Sequence, residues 1–363
     1  MISIEQSDLV TSVLPEFAIN LTDGRTEPYG SGLINTTWRV FTGSQDYILQ
    51  RINQQVFRDP QKIADNVRKI GDYLRKNHPD YPFVLPIQTK SRQELAFVEG
   101  MGYYRLSPFV KGSTSLDVVE NPDEAYEAAL QFGRFAARLS ELNPSALHIT
   151  IPDFHNLRLR YDQFRQSLIK GNRERIAASG KAIEDIEAFT FIVSGYDSIC
   201  NDPAYKIRVM HHDTKISNVL LDRNNKGMCV IDLDTMMPGH FFSDAGDMLR
   251  TYLSPVSEEE TDLSLNHIRK EIFEAIVKGY LVEMRDELTM AEKRSFIFAG
   301  KIMIYMQAIR FLADHFNDDI YYGARYPGHN YYRALNQIDL LKKLQREEPE
   351  LEKILHQHIN TNK

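Results

Sequence analysis

Cysteine is scarce, with only Cys200 and Cys229 in 363 residues. Two thiols exclude a disulfide framework and a cysteine zinc cage, and their apolar flanks mark both as buried or partly buried in a reducing compartment. A basic excess is also missing. The net charge is −7 with Lys and Arg scattered, which argues against a general grip on nucleic acid, although a phosphate-bearing small molecule needs only local positive charge. No Gly, Ser or Gln tract and no internal repeat interrupts a chain that is 42% apolar and 26% charged, so disorder is not favoured. No apolar run reaches the roughly 18 residues of a membrane helix, and the N-terminus lacks a basic start followed by an apolar segment. The expectation is an ordinary globular chain of the cytoplasm with no membrane partner; oligomeric state is not legible.

What is present divides the chain in two, as its length predicts, since one hydrophobic core seldom organises so many residues. From Tyr29 to Val40, YGSGLINTTWRV reads as a hairpin around a Gly-containing turn, and DYILQRI as a third strand. Asp59 and Pro60 then supply the N-cap and first residue of a helix running to about Lys76. FVLPIQT, ELAFVEG and YYRLSPFV read as two or three more strands. Past a linker near Pro108 to Ser115 the texture becomes helical, beginning with the amphipathic helix after Asn121-Pro122. Only YKIRVM, NVLLD and MCVIDLD read as strands there. The expected fold class is α+β, with a small mainly β N-terminal lobe (1–110) and a larger mainly helical C-terminal lobe (111–363).

Between those short strands lies HHDTKISN (211–218), seven of whose eight side chains are polar or ionisable. His211, Asp213 and Asn218 satisfy the pattern His-x-Asp-x-x-x-x-Asn, and IDLD follows, with Asp232 fourteen residues after Asn218. Phosphoryl transfer needs both halves. A hydroxyl nucleophile requires a carboxylate to orient it and take its proton, which suits Asp213; nucleotide phosphates require Mg²⁺ on oxygen ligands, which suits Asn218 and Asp232. Lys215 is placed to reach the transferred phosphate as a point charge. Asp234 has two readings, ligand of a second metal or contact with water alone.

The motifs HHDTKISN, IDLDTMMPG (231–239) and GDMLR (246–250), with YILQRIN (47–53) and RFLADHF (310–316), resemble the aminoglycoside phosphotransferase-like superfamily, which shares the protein-kinase fold, and within it the N-acetylhexosamine 1-kinase family. The resemblance runs from residue 29 to about residue 335 and implies a two-lobe protein-kinase-like fold. It further implies transfer of phosphate from ATP with Mg²⁺ to the anomeric hydroxyl of a sugar substrate, GlcNAc or GalNAc. It also implies that Asp244 braces the catalytic loop. Asp244 and Asp247 equally suit a helix N-terminus whatever the function. His211 is read as a buried loop anchor in preference to a proton carrier, and His212 as an exposed variable position. Gly30, Ser31, Gly32 and Asn35 read either as a hairpin turn or as a flap over the phosphates. Trp38 is given no role.

One departure from the kinase pattern matters. The third strand supplies no Lys to the phosphates and QKIADNVRKIGDYLRK supplies no Glu to pair with it. Strand alternation puts Leu49 and Arg51 on one face, which nominates Arg51 as the phosphate cation, with Asp65 its partner if it has one. Phe109 and Val110, where the sheet meets the linker, complete the nucleotide candidates. For the substrate, Gln307, Arg310 and Asp314 share one face of the apolar segment KIMIYMQAIRFLADHF, either as an internal Arg310 to Asp314 ion pair or as a polar wall for sugar hydroxyls. Arg250 is a third candidate. A kinase of another small alcohol and a non-catalytic nucleotide-binding module are the alternatives.

Overall fold

The computed structural model describes residues 9–19, 25–30, 34–43 and 45–360. Five antiparallel strands form the N-terminal sheet: β1 (Arg25–Pro28), β2 (Thr36–Phe41), β3 (Tyr47–Arg51), β4 (Ala96–Val98) and β5 (Gly102–Pro108), in the order β1-β2-β3-β5-β4. β1 and β2 make the expected hairpin, in which Arg25 faces Phe41. The segment FVLPIQT is not a strand. Pro86 interrupts it, and it touches the sheet only through single bridges, Ile87 to Leu106 and Thr89 to Phe17.

One face of this sheet is its own core. Leu49, Tyr104 and Leu106 join Trp38 and Val40 there, capped by Leu9, Val13, Leu14 and Phe17 from two short turns. Alternation sends the neighbours of Leu49 and Tyr104, Gln50 and Arg105, to the opposite face. That face looks onto the helical part.

Helix α1 (Pro60–Asn77) starts on Pro60 as expected, although Asp59 makes no capping hydrogen bond. Its apolar side, Ile63, Val67, Ile70 and Leu74, belongs to the core of the C-terminal part, not to the core of the sheet. The buried Asn66 bolts it there. Its Nδ2 donates to the carbonyls of His148 (2.8 Å) and Met236 (3.0 Å), and its Oδ1 accepts from the His148 N–H (2.8 Å).

The larger part is built from α2 (Pro122–Arg138), α3 (Leu157–Lys170), α4 (Arg173–Ala178), α5 (Gly180–Ala188), α6 (Phe191–Asn201), α7 (Phe242–Tyr252), α8 (Lys270–Met284), α9 (Met290–Arg294), α10 (Phe296–Phe316) and α11 (His329–Ile359). Helices α2 and α8 cross at glycines. A Cβ on Gly133 would lie 2.8 Å from the Tyr280 carbonyl oxygen, and one on Gly279 would lie 2.4 Å from that of Tyr126. Helix α10 is long and apolar enough to cross a membrane, but 83% of its apolar window is buried among its neighbours, so it is a core helix. Four short strands hold the polar loop: β6 (Ile207–Met210) pairs with β9 (Met237–His240), and β7 (Val219–Leu221) with β8 (Gly227–Val230). Strand β9, written MPGH, carries no β pattern and forms only because β6 lies beside it. Of the two thiols, Cys229 is buried but Cys200 is exposed, contrary to the reading from its flanks, because it ends α6 on the solvent side.

Removing the Asn66 amide strands three buried backbone groups at once. Asn66→Ala is expected to lower unfolding free energy by about 2–4 kcal/mol in urea denaturation, while Lys62→Ala on the exposed face of the same helix changes it by less than about 0.5 kcal/mol.

Candidate active site

The polar loop HHDTKISN leaves β6 and turns back into β7, and its shape is dictated by two carboxylates from the first two turns of α7. Asp244, fully buried, accepts the backbone N–H of His211 (3.1 Å) and of His212 (2.8 Å). Asp247 accepts the N–H of Thr214 at 2.9 Å. The Thr214 hydroxyl donates to the Asp244 carbonyl (2.8 Å), and the Tyr252 hydroxyl donates to the Thr214 carbonyl (2.5 Å). Burial pushes the Asp244 carboxyl up to about 6, against the opposing pull of His211 and those two N–H groups.

His211 is buried; its Nε2 donates to the Ile231 carbonyl (2.9 Å) and its Nδ1 accepts from the Asp213 N–H (3.3 Å). The ring thus ties the loop to the IDLD turn. His212 is not exposed as its position suggested. It adopts φ 68°, its Nδ1 donates to the Met210 carbonyl (3.1 Å), and burial lowers its pKa to about 4. Gly239 makes this possible, since a Cβ there would lie 2.3 Å from His212 Nε2.

Asp213 emerges half-buried from this frame, with Lys215 Nζ 3.2 Å from its Oδ1. The Asp213 carboxylate, and less strongly that of Asp247, raises the Lys215 pKa. Asn218 donates from Nδ2 to the Asp213 carbonyl (2.9 Å), leaving Oδ1 without a donor among the described residues. Its own carbonyl accepts the Ile231 N–H (2.9 Å), so Asn218 and Asp232 lie together at one end of the β7–β8 ladder. Asp232 is held at φ 58°, a left-handed conformation costly for an aspartate. Its carboxylate accepts no hydrogen bond from the described residues. Although open to solvent on one side, it is otherwise enclosed, and this enclosure, with Asp234 and Asp213, pushes it up to about 7. An unpaired carboxylate beside a free amide oxygen fits a hard divalent cation. Among the described residues, no three His, Cys, Asp or Glu cluster as metal ligands, so softer metals find no such set.

Asp234 stands apart from that donor pair. It is fully buried, ion-paired to Arg105 through one oxygen, and accepts the Asn35 amide at 2.6 Å through the other. Neither reading from sequence anticipated that both of its oxygens are engaged by protein side chains. Asn35 is in turn held by the Asn53 N–H (3.0 Å), so it packs under the sheet; Ser31 and Gly32 lie outside the described residues, and Gly30 has φ 77°.

The parity of β3 corrects the assignment of Arg51. Leu49 is in the core of the sheet, so Arg51 shares that face, opposite Tyr104, while Gln50 is on the face toward Asp234. Alternation was right; the face given to the phosphates was not. Asp65 is likewise not its partner, lying 3.5 Å from His148 Nε2. Phe109 carries the Arg39 guanidinium over its ring at 4.1 Å and meets Tyr29 edge-on, while the Val110 carbonyl accepts the Ser113 hydroxyl (2.7 Å).

On α10, the Arg310 to Asp314 ion pair does not form. Asp314 accepts the N–H groups of Tyr321 (2.8 Å) and Tyr322 (2.9 Å) and the Asn330 amide (3.2 Å), fixing the loop before α11. Arg310 instead donates to Gln307 (3.2 Å) and lies over Tyr322, and Gln307 donates to the Tyr322 hydroxyl (3.2 Å). Arg250 is clamped by Asp247 (2.9 Å) and Glu258 (2.8 Å). Burial opposes its charge, but these two carboxylates win and push its pKa up. Glu258 also pairs with Arg333, whose guanidinium lies 3.8 Å over Phe311. A cavity of about 570 Å³ opens between α3 and α10, lined by Arg160, Gln163, Arg310 and Tyr322 among others.

Sequence reasoning missed Arg105, Glu258, Arg333, His155 and Arg160. Arg105 had a signal, a lone cation inside the apolar strand YYRLSPFV. The His155 imidazole is enclosed, with Nδ1 unpartnered among the described residues, and burial, then His212 and the positive charges of Arg310, Arg250 and Arg160, hold it neutral. Nothing local to its sequence marks it.

Residues 25–274 match the family described as "Phosphotransferase enzyme family". Among solved structures, the chain is similar to a microcompartment-associated aminopropanol kinase (TM-score 0.63, 15% identity, covering 96% of this chain and 97% of that one). A spectinomycin phosphotransferase solved with ADP and spectinomycin is similar at TM-score 0.60 and 12% identity, covering 94% and 99%. An amicoumacin kinase solved with AMP-PNP, Ca²⁺ and its antibiotic follows at TM-score 0.56 and 12% identity, covering 98% and 97%. At such identities these likenesses speak to the fold, which is protein-kinase-like with an N-terminal antiparallel sheet and a larger helical part. Since the family match spans well over half its length, this chain belongs to the phosphotransferase enzyme family.

Proposed function

We propose that the protein transfers the γ-phosphoryl group of ATP, with Mg²⁺, to the anomeric hydroxyl of an N-acetylhexosamine in the cytoplasm. The sheet (1–110) covers the nucleotide and the helical part (111–363) holds the sugar. Asp213 accepts the hydroxyl proton, and the charge of Lys215 compensates the carboxylate before transfer and the phosphoryl oxygens during it. Asp232 and Asn218 would hold Mg²⁺, which supplies neutralisation of phosphate charge when bound.

The observation that carries the sugar reading is the commitment of carboxylates. Glu258 is shared between Arg250 and Arg333, and Asp314 is spent on backbone N–H groups. Asp162, also on the cavity, is solvent-exposed. A cationic amine would therefore meet Arg160 and Arg310 with little opposing charge, whereas the hydroxyls and acetamide of a neutral sugar match their N–H donors and the amide of Gln307. The relatives named above act on amino alcohols and antibiotics by their names, so an amino alcohol is the alternative acceptor on the same fold.

Asp213→Asn is expected to lower kcat at least about a hundredfold while leaving nucleotide affinity nearly intact, because the base acts in the transfer step. Near-normal turnover would remove Asp213 from that role. Asp232→Ala is expected to lose the metal-dependent part of its ATP affinity in titrations with and without Mg²⁺; retention of that part would free Asp232 from metal binding.

Incubation with GlcNAc or GalNAc, ATP and Mg²⁺ should give an acid-labile phosphate ester that no longer reduces and shows phosphorus coupling to H1. Only the hydroxyl in reach of Asp213 and in line with the phosphoryl group can attack. A product that still reduces, or turnover confined to amino alcohols, would refute the sugar 1-kinase reading and keep the kinase.

A further inference from the structure

The absence of a cation on the cleft face of β3 leaves a task undone, since kinases of this fold grip the α- and β-phosphates from that strand. The cleft-facing residue is Gln50, an amide. Directly across the ladder from it, however, stands Arg105 on β5.

Two contacts aim this guanidinium. Its Nε donates to Gln50 Oε1 at 2.9 Å, and Gln50 Nε2 is turned to Thr37 Oγ1 (3.3 Å), which keeps the oxygen toward the arginine. One Nη1 hydrogen goes to Asp234, itself fixed by Asn35. The side chain is buried, yet Nη2 has no acceptor among the described residues. A buried guanidinium carries five N–H donors in a planar fork, and here the fork is held rigid with donors to spare. It stands between the cleft face of the sheet and the IDLD turn that carries Asp232.

Resting on the kinase reading above, we propose that Arg105 is the nucleotide-phosphate cation, moved from the third strand to the fifth, and that Asp234 positions it as a brace. The pair Arg105 to Asp234 then replaces the lysine to glutamate pair that this chain lacks. Because the brace comes from the IDLD turn and not from α1, the cation needs no movement of α1, which Asn66 holds to the C-terminal core. Arg105 touches phosphate; Asp234 acts through Arg105.

The test compares ligands that differ only in phosphate. ADP and adenosine affinities are measured by calorimetry in Mg²⁺ buffer for the wild type, Arg105→Gln, Arg105→Lys, and the pair Arg105→Gln with Asp234→Asn, which avoids an unpaired buried carboxylate should the single variant unfold. The expected result is an ADP affinity at least about tenfold lower in both Arg105→Gln proteins, the scale of a lost charge-assisted hydrogen bond, with adenosine affinity within about twofold of wild type. Arg105→Lys should recover part of the loss. A double variant that keeps the wild-type ratio of ADP to adenosine affinity, or that loses both ligands equally, overturns the role of Arg105 and leaves the kinase intact. A wild type that binds no nucleotide overturns the kinase reading itself and this inference with it.

Discussion

The site depends on one buried carboxylate, Asp244. Taking an ionisable group fully out of water is costly, and its raised pKa shows that the cost is only partly offset. What it secures is the path of the backbone: two successive N–H groups converge on it, and Asp247 takes a third from Thr214 two residues on. A loop held at three amides has little freedom left, so the half-buried Asp213 is presented in one orientation. Helical spacing then extends the effect. Asp244, Asp247 and Arg250 follow one another at intervals of three along α7, so the helix that shapes the loop also carries the arginine clamped to Glu258. Through Arg333 the same chain of alternating charges reaches α11. The loop, α7 and α11 are therefore joined in one network.

The sheet and the IDLD turn are joined by a second buried pair, Arg105 and Asp234. A buried ion pair is weak evidence for stability, since desolvation cancels much of its attraction, but breaking it would leave a bare charge. Its geometric consequence is clearer. The pair crosses from a strand of the sheet to the turn holding Asp232, while Asn66 fixes α1 to the carbonyl of Met236 on the same segment. Both connections end within IDLDTMMPG, which is why so short a segment contains a left-handed aspartate, a fully buried aspartate and a glycine that makes room for His212.

Legibility in sequence follows the range of the interactions. That Asp213, Asn218 and Asp232 gather in one place could be read because the motif spaces them within about twenty residues, and the strands around them announce themselves by apolar runs. The α+β layout was legible from the change of texture near residue 110. Arg51 failed for a different reason: alternation says which residues share a face, but not which face is core, and only the packing of Leu9, Val13 and Phe17 over Leu49 decides that. Asp314 failed because helical spacing placed it near Arg310 while the partners it found, the N–H groups of Tyr321 and Tyr322, come from a loop with no periodicity to reveal it. Strand β9 was invisible since Pro238 and Gly239 argue against a strand, and only its neighbour makes it one.

The same distinction governs the charge balance around the cavity between α3 and α10. Counting charged residues in the C-terminal segments suggests a mixed pocket, because acids and bases occur together there. Contacts dissolve that balance. Every carboxylate already holding a guanidinium or a pair of amides has little remaining capacity for a ligand, whereas Arg310 gives its neighbours one hydrogen bond to Gln307 and its ring contacts, and so keeps most of its donors. The enclosed His155 is kept neutral by burial first, and by His212 and nearby arginines after that, so it adds no charge of its own. An excess of donors over free acids is thus a property of the pairing of side chains in space, not of their number in the sequence.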